Sequence, residues 1–152
     1  MKKSYSVWDI EKLVEEVKKD FPGAEIHLDK ELAFYHFYIP EIEEDIKKYT
    51  IRFRPGCIRL PSGIVAGSRS TGFVPCYETD PSDKAYRKEV GHIRVTDVLV
   101  STVKDFSAED ARLDGFKNKR EMVKRVSEIY NYKLKPDDYI SMYRLDRLFR
   151  KK

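Results

Sequence analysis

Residues 87–103 read RKEVGHIRVTDVLVSTV, and this stretch has the alternation of one long β-strand. Its β-branched residues hold one parity in the first half and the opposite parity in the second half. The two sets are Ile93 with Val95, and Val98 with Val100 and Thr102. Successive side chains of a strand point to opposite faces, so the change of parity predicts a β-bulge near Thr96 and Asp97. A long bulged strand is typical of a small barrel, in which a strand turns a corner.

Shorter strands separated by Gly/Pro turns surround this segment. Alternation and turn residues predict strands at 24–28, 50–54, 57–60, 64–69, 73–78 and 139–149. The aromatic-rich residues 31–39 are ambiguous and are interpreted mainly as a strand. Pro40 then begins a short acidic helix over residues 41–48, because proline suits the first turn of a helix.

Three further helices are predicted from capping residues. Ser6 with Asp9, Ser107 with Asp110, and Asn118 with Glu121 each have capping-box spacing. The first helix ends at Phe21-Pro22-Gly23, and the predicted buried face of the last helix is Met122, Val123, Val126, Ile129 and Tyr130. The order of elements predicts an α+β fold, a small mixed β-barrel with flanking helices and an extra N-terminal helix.

Composition limits the class of protein. The chain has 152 residues, of which 41% are hydrophobic and 37% are charged, as expected for one globular domain. No apolar run has the length of a membrane span, so we expect a cytoplasmic protein without a membrane partner. Cys57 and Cys76 are too few for a disulfide or zinc framework, and His27, His36 and His92 lack metal-ligand spacing. No metal and no cofactor are therefore predicted.

Charge is unevenly distributed along the chain. The net charge is only +4, but residues 46–77 hold six bases and no acid. Residues 144–152 hold five bases and one acid, Asp146. Such segregation predicts a positive face for phosphate groups, although runs of charge are more often a solvated surface. The bases predicted to bind phosphate are Lys48, Arg52, Arg54, Arg59, Arg69 and Arg112.

One short segment combines groups that could carry chemistry. Lys47, Thr50 and Arg52 form a Lys-x-x-Thr-x-Arg pattern at a predicted helix-to-strand junction. The pleat puts Thr50 and Arg52 on one face, where Lys47 can reach them. A desolvated lysine can act as the base for a hydroxyl nucleophile in acyl transfer. Spacing alone favours the simpler alternative, in which Lys47 and Arg52 anchor phosphate and Thr50 is an ordinary strand residue.

A second segment, SAEDARLDGF at 107–116, precedes NKREMVKRVSEIY and the later DYISMYRL. Together with KKYTIR at 47–52, it resembles the ASCH family of the PUA-like superfamily over residues 31–148. The family pattern has Gly-x-Lys-x-x-Thr-x-Arg and, later, Glu-Asp-Ala-x-x-Glu-Gly-Phe. Here Asp45 stands at the glycine and Asp114 at the glutamate. The resemblance implies a helical extension at 1–30 and an ASCH/PUA-like domain at 31–150.

The resemblance implies an RNA- or nucleotide-binding cleft with a role in RNA metabolism. It also implies an alternative, because one branch of the family resembles an amidohydrolase that removes the acetyl group of N4-acetylcytidine. In that alternative Thr50 is the nucleophile, Lys47 its base, and Asp114 positions Lys47 or shuttles a proton. Binding ranks first because it requires only the charge segregation and the fold. A third possibility is a regulatory protein that binds a nucleotide-like ligand without turnover.

Overall fold

The computed structural model describes residues 1–62 and 72–151. Eight strands and four α-helices lie in that part of the chain. In chain order they are β1 (Lys2–Ser6), α1 (Ile10–Asp20), β2 (Glu25–Asp29), β3 (Leu32–Tyr35), α2 (Ile39–Glu43), β4 (Tyr49–Arg52), β5 (Cys57–Pro61), β6 (Phe73–Asp80), β7 (Asp83–Thr102), α3 (Ala108–Leu113), α4 (Lys119–Ile129) and β8 (Tyr139–Arg150). The strand predicted at 64–69 lies outside the described residues.

The long strand β7 organises the main sheet. This sheet has six strands in the order β3-β6-β7-β8-β4, and β1 pairs with β7 as well. Residues 83–94 of β7 pair with β6 and residues 97–101 pair with β1, while β8 pairs with residues 91–102. The register of β7 against β8 shifts between Val95 and Asp97. The bulge predicted near Thr96 and Asp97 is therefore confirmed.

The main sheet is open. Within the described residues, its ladder begins at β3 and ends at β4, and β2 pairs with β5 in a separate two-stranded parallel sheet. The α+β class with flanking helices is confirmed, but closure into a barrel is not. One side-chain hydrogen bond links the two end strands, β4 and β3: the Arg52 guanidinium donates to the carbonyl oxygen of Ala33 at 3.1 Å.

The N-terminal segment begins with a strand and not with a helix. The prediction that Ser6 caps the first helix is wrong, because Ser6 ends β1 and Asp9 is the cap. Pairing with the distant strand β7 satisfies the backbone of β1 and buries Tyr5. Leu13 and Val17 of α1 are buried in the same core as the sheet. The domain division at residue 30 stays a prediction.

The segment between β3 and β4 also differs from the prediction. The strand ends at Tyr35, a 3-10 turn follows at 36–38, and α2 stops at Glu43. Asp45 has a φ of 60°, a left-handed conformation that ends the helix. Lys47 therefore lies in the irregular segment between α2 and β4, with its N–H donating to the Glu41 carbonyl, and not on the last turn of a helix as expected. Its side chain nevertheless lines one cavity together with Thr50 and Arg52.

Helices α3 and α4 cover a second core against β4 and β8. The capping box of Ser107 and Asp110 is present, and the Asn118 side chain caps α4 by accepting from the Glu121 N–H. Met122 and Val126 are buried as predicted, but Ile129 is 63% exposed. Tyr130 at the end of the helix still packs against this core, whereas the Ile129 side chain lines a cavity.

None of the helices in residues 1–62 and 72–151 is both long enough and apolar enough to span a membrane. Across the same residues, no three His, Cys, Asp or Glu side chains gather as a metal site requires.

Candidate nucleotide-binding cavity

A cavity of about 870 Å³ opens where the end strands of the sheet approach each other. Its walls come from β3, β4, the chain after α2, the turn after α3, and one face of α4. We call it the central cavity. Ligand pockets commonly have volumes of about 300–1,000 Å³, so the central cavity has the size of a small-molecule site. Lys47, Thr50 and Asp114, the three residues predicted to be catalytic, all line it.

Asp114 joins two of the cavity walls. It follows the last residue of α3, and Gly115 turns the chain with a φ of 88°. One carboxylate oxygen of Asp114 accepts from Lys47 Nζ at 2.9 Å, and the other accepts from the Ile51 N–H at 3.2 Å. The Asp114 side chain is only 8% exposed and that of Lys47 is 16% exposed. The acid thus holds the lysine against the first residues of β4.

The surroundings of this ion pair shape its electrostatics. Burial raises the pKa of Asp114, and the Lys47 ammonium and the Ile51 N–H oppose the rise only in part. Lys47 Nζ also lies 5.0 Å from the centre of the Tyr38 ring, in cation–π contact. Burial raises the pKa of the Tyr38 phenol as well, with Asp114 adding to the effect. Carboxylate, ammonium and phenol therefore share one poorly solvated corner of the cavity.

Thr50 lies on the same wall but contacts a different group. Its hydroxyl is buried and accepts from Arg52 Nε at 3.3 Å. A hydroxyl has one hydrogen and two lone pairs, so its hydrogen is still available for a ligand or a base. Within the described part of the chain, Lys47 bonds Asp114 and Thr50 bonds Arg52. No hydrogen bond joins Thr50 to Lys47 among the described residues, so proton transfer between them would require a side chain to move when a ligand binds.

Arg52 organises the strand edge of the cavity. Besides bonding Thr50 and the Ala33 carbonyl, its guanidinium lies 4.8 Å from the centre of the Phe34 ring. Arginine donates in a rigid fork and stacks on aromatic faces. Arg52 therefore holds β3 and β4 together and presents a cation to the space between them.

The remaining predicted phosphate ligands fall into four situations. Lys48 and Arg112 line the cavity with exposed side chains. Arg59 also reaches it, but its guanidinium is held by the buried Asp29, with NH2 2.6 Å from Oδ1. Arg54 is exposed and is absent from the cavity wall as described. Arg69 lies outside the described residues.

Beneath the cavity, Arg59 belongs to a polar network in the core. Asp29 accepts from Arg59 Nε and NH2 and from the Tyr143 hydroxyl, the last at 2.6 Å. Arg59 NH1 also donates to the Phe53 carbonyl and to the Tyr130 hydroxyl in the cavity wall. Burial raises the pKa of Tyr143 far above its ordinary value, and the Asp29 charge adds to this. These contacts make Arg59 a structural cation, and its predicted role on phosphate stays a prediction.

Several cavity residues were absent from the predicted site. Tyr35, Tyr38 and Tyr49 all line the cavity. Phe37 and Tyr77 do not lie on the cavity wall as described.

Helix α4 also contributes residues that were missed. Glu121, Arg125 and Ile129 line the cavity and recur every four residues on one helix face. That spacing was a usable signal, because residues four apart on a helix lie on one side. The sequence pattern instead predicts Ile129 as part of the buried face of α4.

Comparison of the chain with protein-family models, with curated proteins and with solved structures gives no match.

Proposed function

We propose that the protein binds RNA or a free nucleotide and holds one nucleotide unit in the central cavity. The observation that carries this proposal is the meeting of aromatic rings and cations in one cavity that has the size of a small-molecule site. Tyr35 and Tyr38 lie nearly parallel, at 20° and 6.4 Å between ring centres, and both face the cavity. Aromatic rings of this kind stack on nucleobases.

Cations at the rim suit the phosphate of the same ligand. Lys48, Arg112 and Arg125 come from three separate segments and line the opening. Lys48 and Arg112 have exposed side chains, so they can pair with a phosphate without first losing a buried partner. Membership of the ASCH family and a PUA-like barrel belong to the same proposal and are supported by the resemblance of residues 31–148. A cytoplasmic location belongs to it as well and is supported by the lack of an apolar run of membrane-span length in the sequence.

Binding of cytidine monophosphate to Tyr35→Ala tests the proposal. Tyr35 is 39% exposed, so its removal is compatible with folding. Loss of one base–aromatic stack costs about 1–3 kcal/mol, which is roughly a 5- to 150-fold weaker Kd. Tyr86→Ala is the matched control, since Tyr86 is 38% exposed and lies outside the cavity wall. Equal affinities for wild type and Tyr35→Ala, or no nucleotide and no RNA binding at all, would overturn the proposal.

The contact between Lys47 and Asp114 beside Thr50 favours a second candidate, hydrolysis of an N4-acylated cytidine. Thr50 Oγ would attack the acyl carbonyl and pass its proton through Lys47 to the departing amine. The C–N bond breaks to release cytidine, and water then hydrolyses the acyl ester on Thr50. Asp114, with its pKa raised by burial, would hold Lys47 in place.

Incubation with N4-acetylcytidine, followed by chromatography for cytidine, tests this candidate. Turnover by wild type, its loss in Thr50→Ala and partial recovery in Thr50→Ser support a hydroxyl nucleophile. Nucleotide binding without turnover leaves the binding function alone. Turnover that survives in Thr50→Ala would remove Thr50 from the mechanism.

A further inference from the structure

Tyr130 stands at the end of a hydrogen-bond chain that leads from the buried core to the central cavity. The Asp29 carboxylate, whose side chain is 3% exposed, accepts from the Tyr143 hydroxyl at 2.6 Å and from Arg59 NH2 at 2.6 Å. Arg59 NH1 in turn donates to the Tyr130 hydroxyl at 3.3 Å. Arg59 and Tyr130 both line the cavity, so the chain ends at the space that is open to a ligand.

The direction of this chain fixes what the Tyr130 hydroxyl can do. A guanidinium has donor hydrogens and no acceptor, so the Tyr130 oxygen accepts from Arg59 and its own hydrogen points elsewhere. Among the described residues, the bond from Arg59 is the one hydrogen bond that this hydroxyl makes. A hydroxyl that accepts from a cation is polarised, which strengthens it as a donor. Tyr130 therefore presents a directed donor without an acceptor of its own.

Packing holds the Tyr130 ring in this position. The ring lies edge-on to that of Phe53, with 5.6 Å between the ring centres and 76° between the ring planes. It packs against the core that α3 and α4 cover, and the Tyr130 N–H donates to the Val126 carbonyl at the end of α4. Because ring, backbone and hydroxyl oxygen are each held, the donor is preorganised and a ligand need not order it.

Charge distinguishes two parts of the cavity wall. The Arg59 charge beside Tyr130 is compensated by Asp29. Arg112 and Arg125 also line the cavity, but their side chains are exposed and neither forms an ion pair within residues 1–62 and 72–151. A phosphate dianion is best satisfied by these two uncompensated cations. The neutral Tyr130 hydroxyl is suited to a neutral acceptor of the same ligand.

We propose that Tyr130 is a specificity-determining residue whose hydroxyl donates to a carbonyl oxygen of the bound base. This inference rests on the proposed function, since it takes a nucleotide as the ligand. Uracil carries two carbonyl oxygens, cytosine and guanine carry one each, and adenine carries none. Thr50 lines the same cavity and likewise accepts from an arginine, which leaves a second hydroxyl hydrogen to donate. The central cavity therefore prefers uridine monophosphate to adenosine monophosphate.

The experiment measures by calorimetry how the full chain binds uridine, cytidine and adenosine monophosphate. Tyr130→Phe keeps the ring against Phe53 and removes only the hydroxyl. Uridine monophosphate should then bind about 2- to 12-fold more weakly, the change that corresponds to one net hydrogen bond. The affinity for adenosine monophosphate should not change. A loss for cytidine monophosphate as well assigns the contact to O2, and a loss for uridine monophosphate alone assigns it to O4.

Tyr132→Phe is the matched control. The Tyr132 ring also packs on Phe53, at 5.2 Å between centres, but its hydroxyl bonds Asp138 and it is not part of the cavity wall as described. The same substitution there should leave all three affinities unchanged. Infrared spectroscopy of bound, isotope-labelled uridine monophosphate adds a readout that packing does not affect. A hydrogen bond lowers the stretching frequency of a carbonyl group, and this shift should be lost in Tyr130→Phe.

The outcomes separate this inference from the proposed function. Uridine monophosphate that binds wild type and Tyr130→Phe equally well overturns the role of Tyr130 and leaves the proposed function intact. Equal losses for uridine and adenosine monophosphate also overturn it, because the hydroxyl then contacts the sugar or phosphate or supports the fold. Absence of binding by all three nucleotides and by RNA removes the proposed function itself, and this inference with it.

Discussion

Replacing Asp29 by alanine should cost this protein more stability than removal of any exposed acid. Its carboxylate is 3% exposed and accepts from Arg59 and from the Tyr143 hydroxyl. The substitution leaves the Arg59 guanidinium, itself only 15% exposed, without its counter-charge. It also leaves the Tyr143 hydroxyl unpaired in the core. An uncompensated buried charge is the larger of the two penalties.

The structure sets the size of the effect. Breaking a buried ion pair by removing one partner costs about 3–5 kcal/mol. For a chain of this length, each kcal/mol lowers Tm by about 2–4 °C, so a fall of roughly 6–20 °C is expected. Asp29→Asn keeps the shape of the side chain but removes its charge, and should show most of the loss. Tyr143→Phe removes one hydrogen bond to a charged group and should cost about 1.5–3 kcal/mol.

Urea unfolding at pH 7, followed by far-ultraviolet circular dichroism, measures these differences. Asp137→Ala is the control, because Asp137 is 91% exposed and lies 3.8 Å from Lys104 Nζ. Exposed pairs contribute about 0–1 kcal/mol. If Asp29→Ala loses no more stability than Asp137→Ala, the buried pair is not a significant support of the fold. A large loss in Asp29→Ala with none in Asp29→Asn would assign the effect to the cavity and not to the charge.

Three further predictions test the fold and its dependence on pH. Gly91→Ala should lower the free energy of unfolding in urea by about 2–4 kcal/mol, because the new Cβ would lie 2.0 Å from the Phe149 carbonyl oxygen. Gly23→Ala is the control: its φ is also positive, at +85°, but the space around it is open, so it should cost about 1–2 kcal/mol. The pKa of Asp110 lies below its usual 3.8. Burial alone would raise this pKa, but the Lys2 ammonium and the hydrogen bonds of the Ser107 cap lower it by more. The ionised Asp110 carboxylate therefore stabilises the fold fully above about pH 3.8, and this stabilisation is lost as the pH falls through the folded-state pKa. The urea midpoint of wild type should decline at acid pH, and Asp110→Asn should show a smaller decline. Val126→Ala should cost about 2–3 kcal/mol of stability because the side chain is buried. Ile129→Ala should change stability by less than about 0.5 kcal/mol because that side chain is exposed. Equal losses for the two variants would place Ile129 in the core.

Local chemistry made several elements predictable. The caps at Ser107 and Asn118 depend on side chains that bond the backbone within three residues. The bulge near Thr96 and Asp97 is visible as a change of parity within one strand. The α+β class follows from the order of such elements. The ASCH resemblance and the roles of Lys47, Thr50 and Asp114 remain predictions.

Elements that depend on distant partners were missed or misplaced. Strand β1 forms because β7 offers it an edge about one hundred residues later in the chain, Tyr5 lying opposite Val98. Helix α2 is shorter than its residue pattern suggests because Asp45 takes a left-handed conformation. Ile129 has the spacing of a core residue, but its side chain lines the central cavity.

The sequence by itself determined which groups were available: a Lys-x-x-Thr-x-Arg segment, a later acid, and a basic chain rich in aromatic residues. Only the tertiary structure decided which of them meet. Lys47 and Asp114 are 67 residues apart and come within 2.9 Å, while Arg59 is drawn into the core by Asp29. The physical reason is that periodicity and capping report on neighbours a few residues away. The path of an open sheet determines which distant side chains enclose a common space.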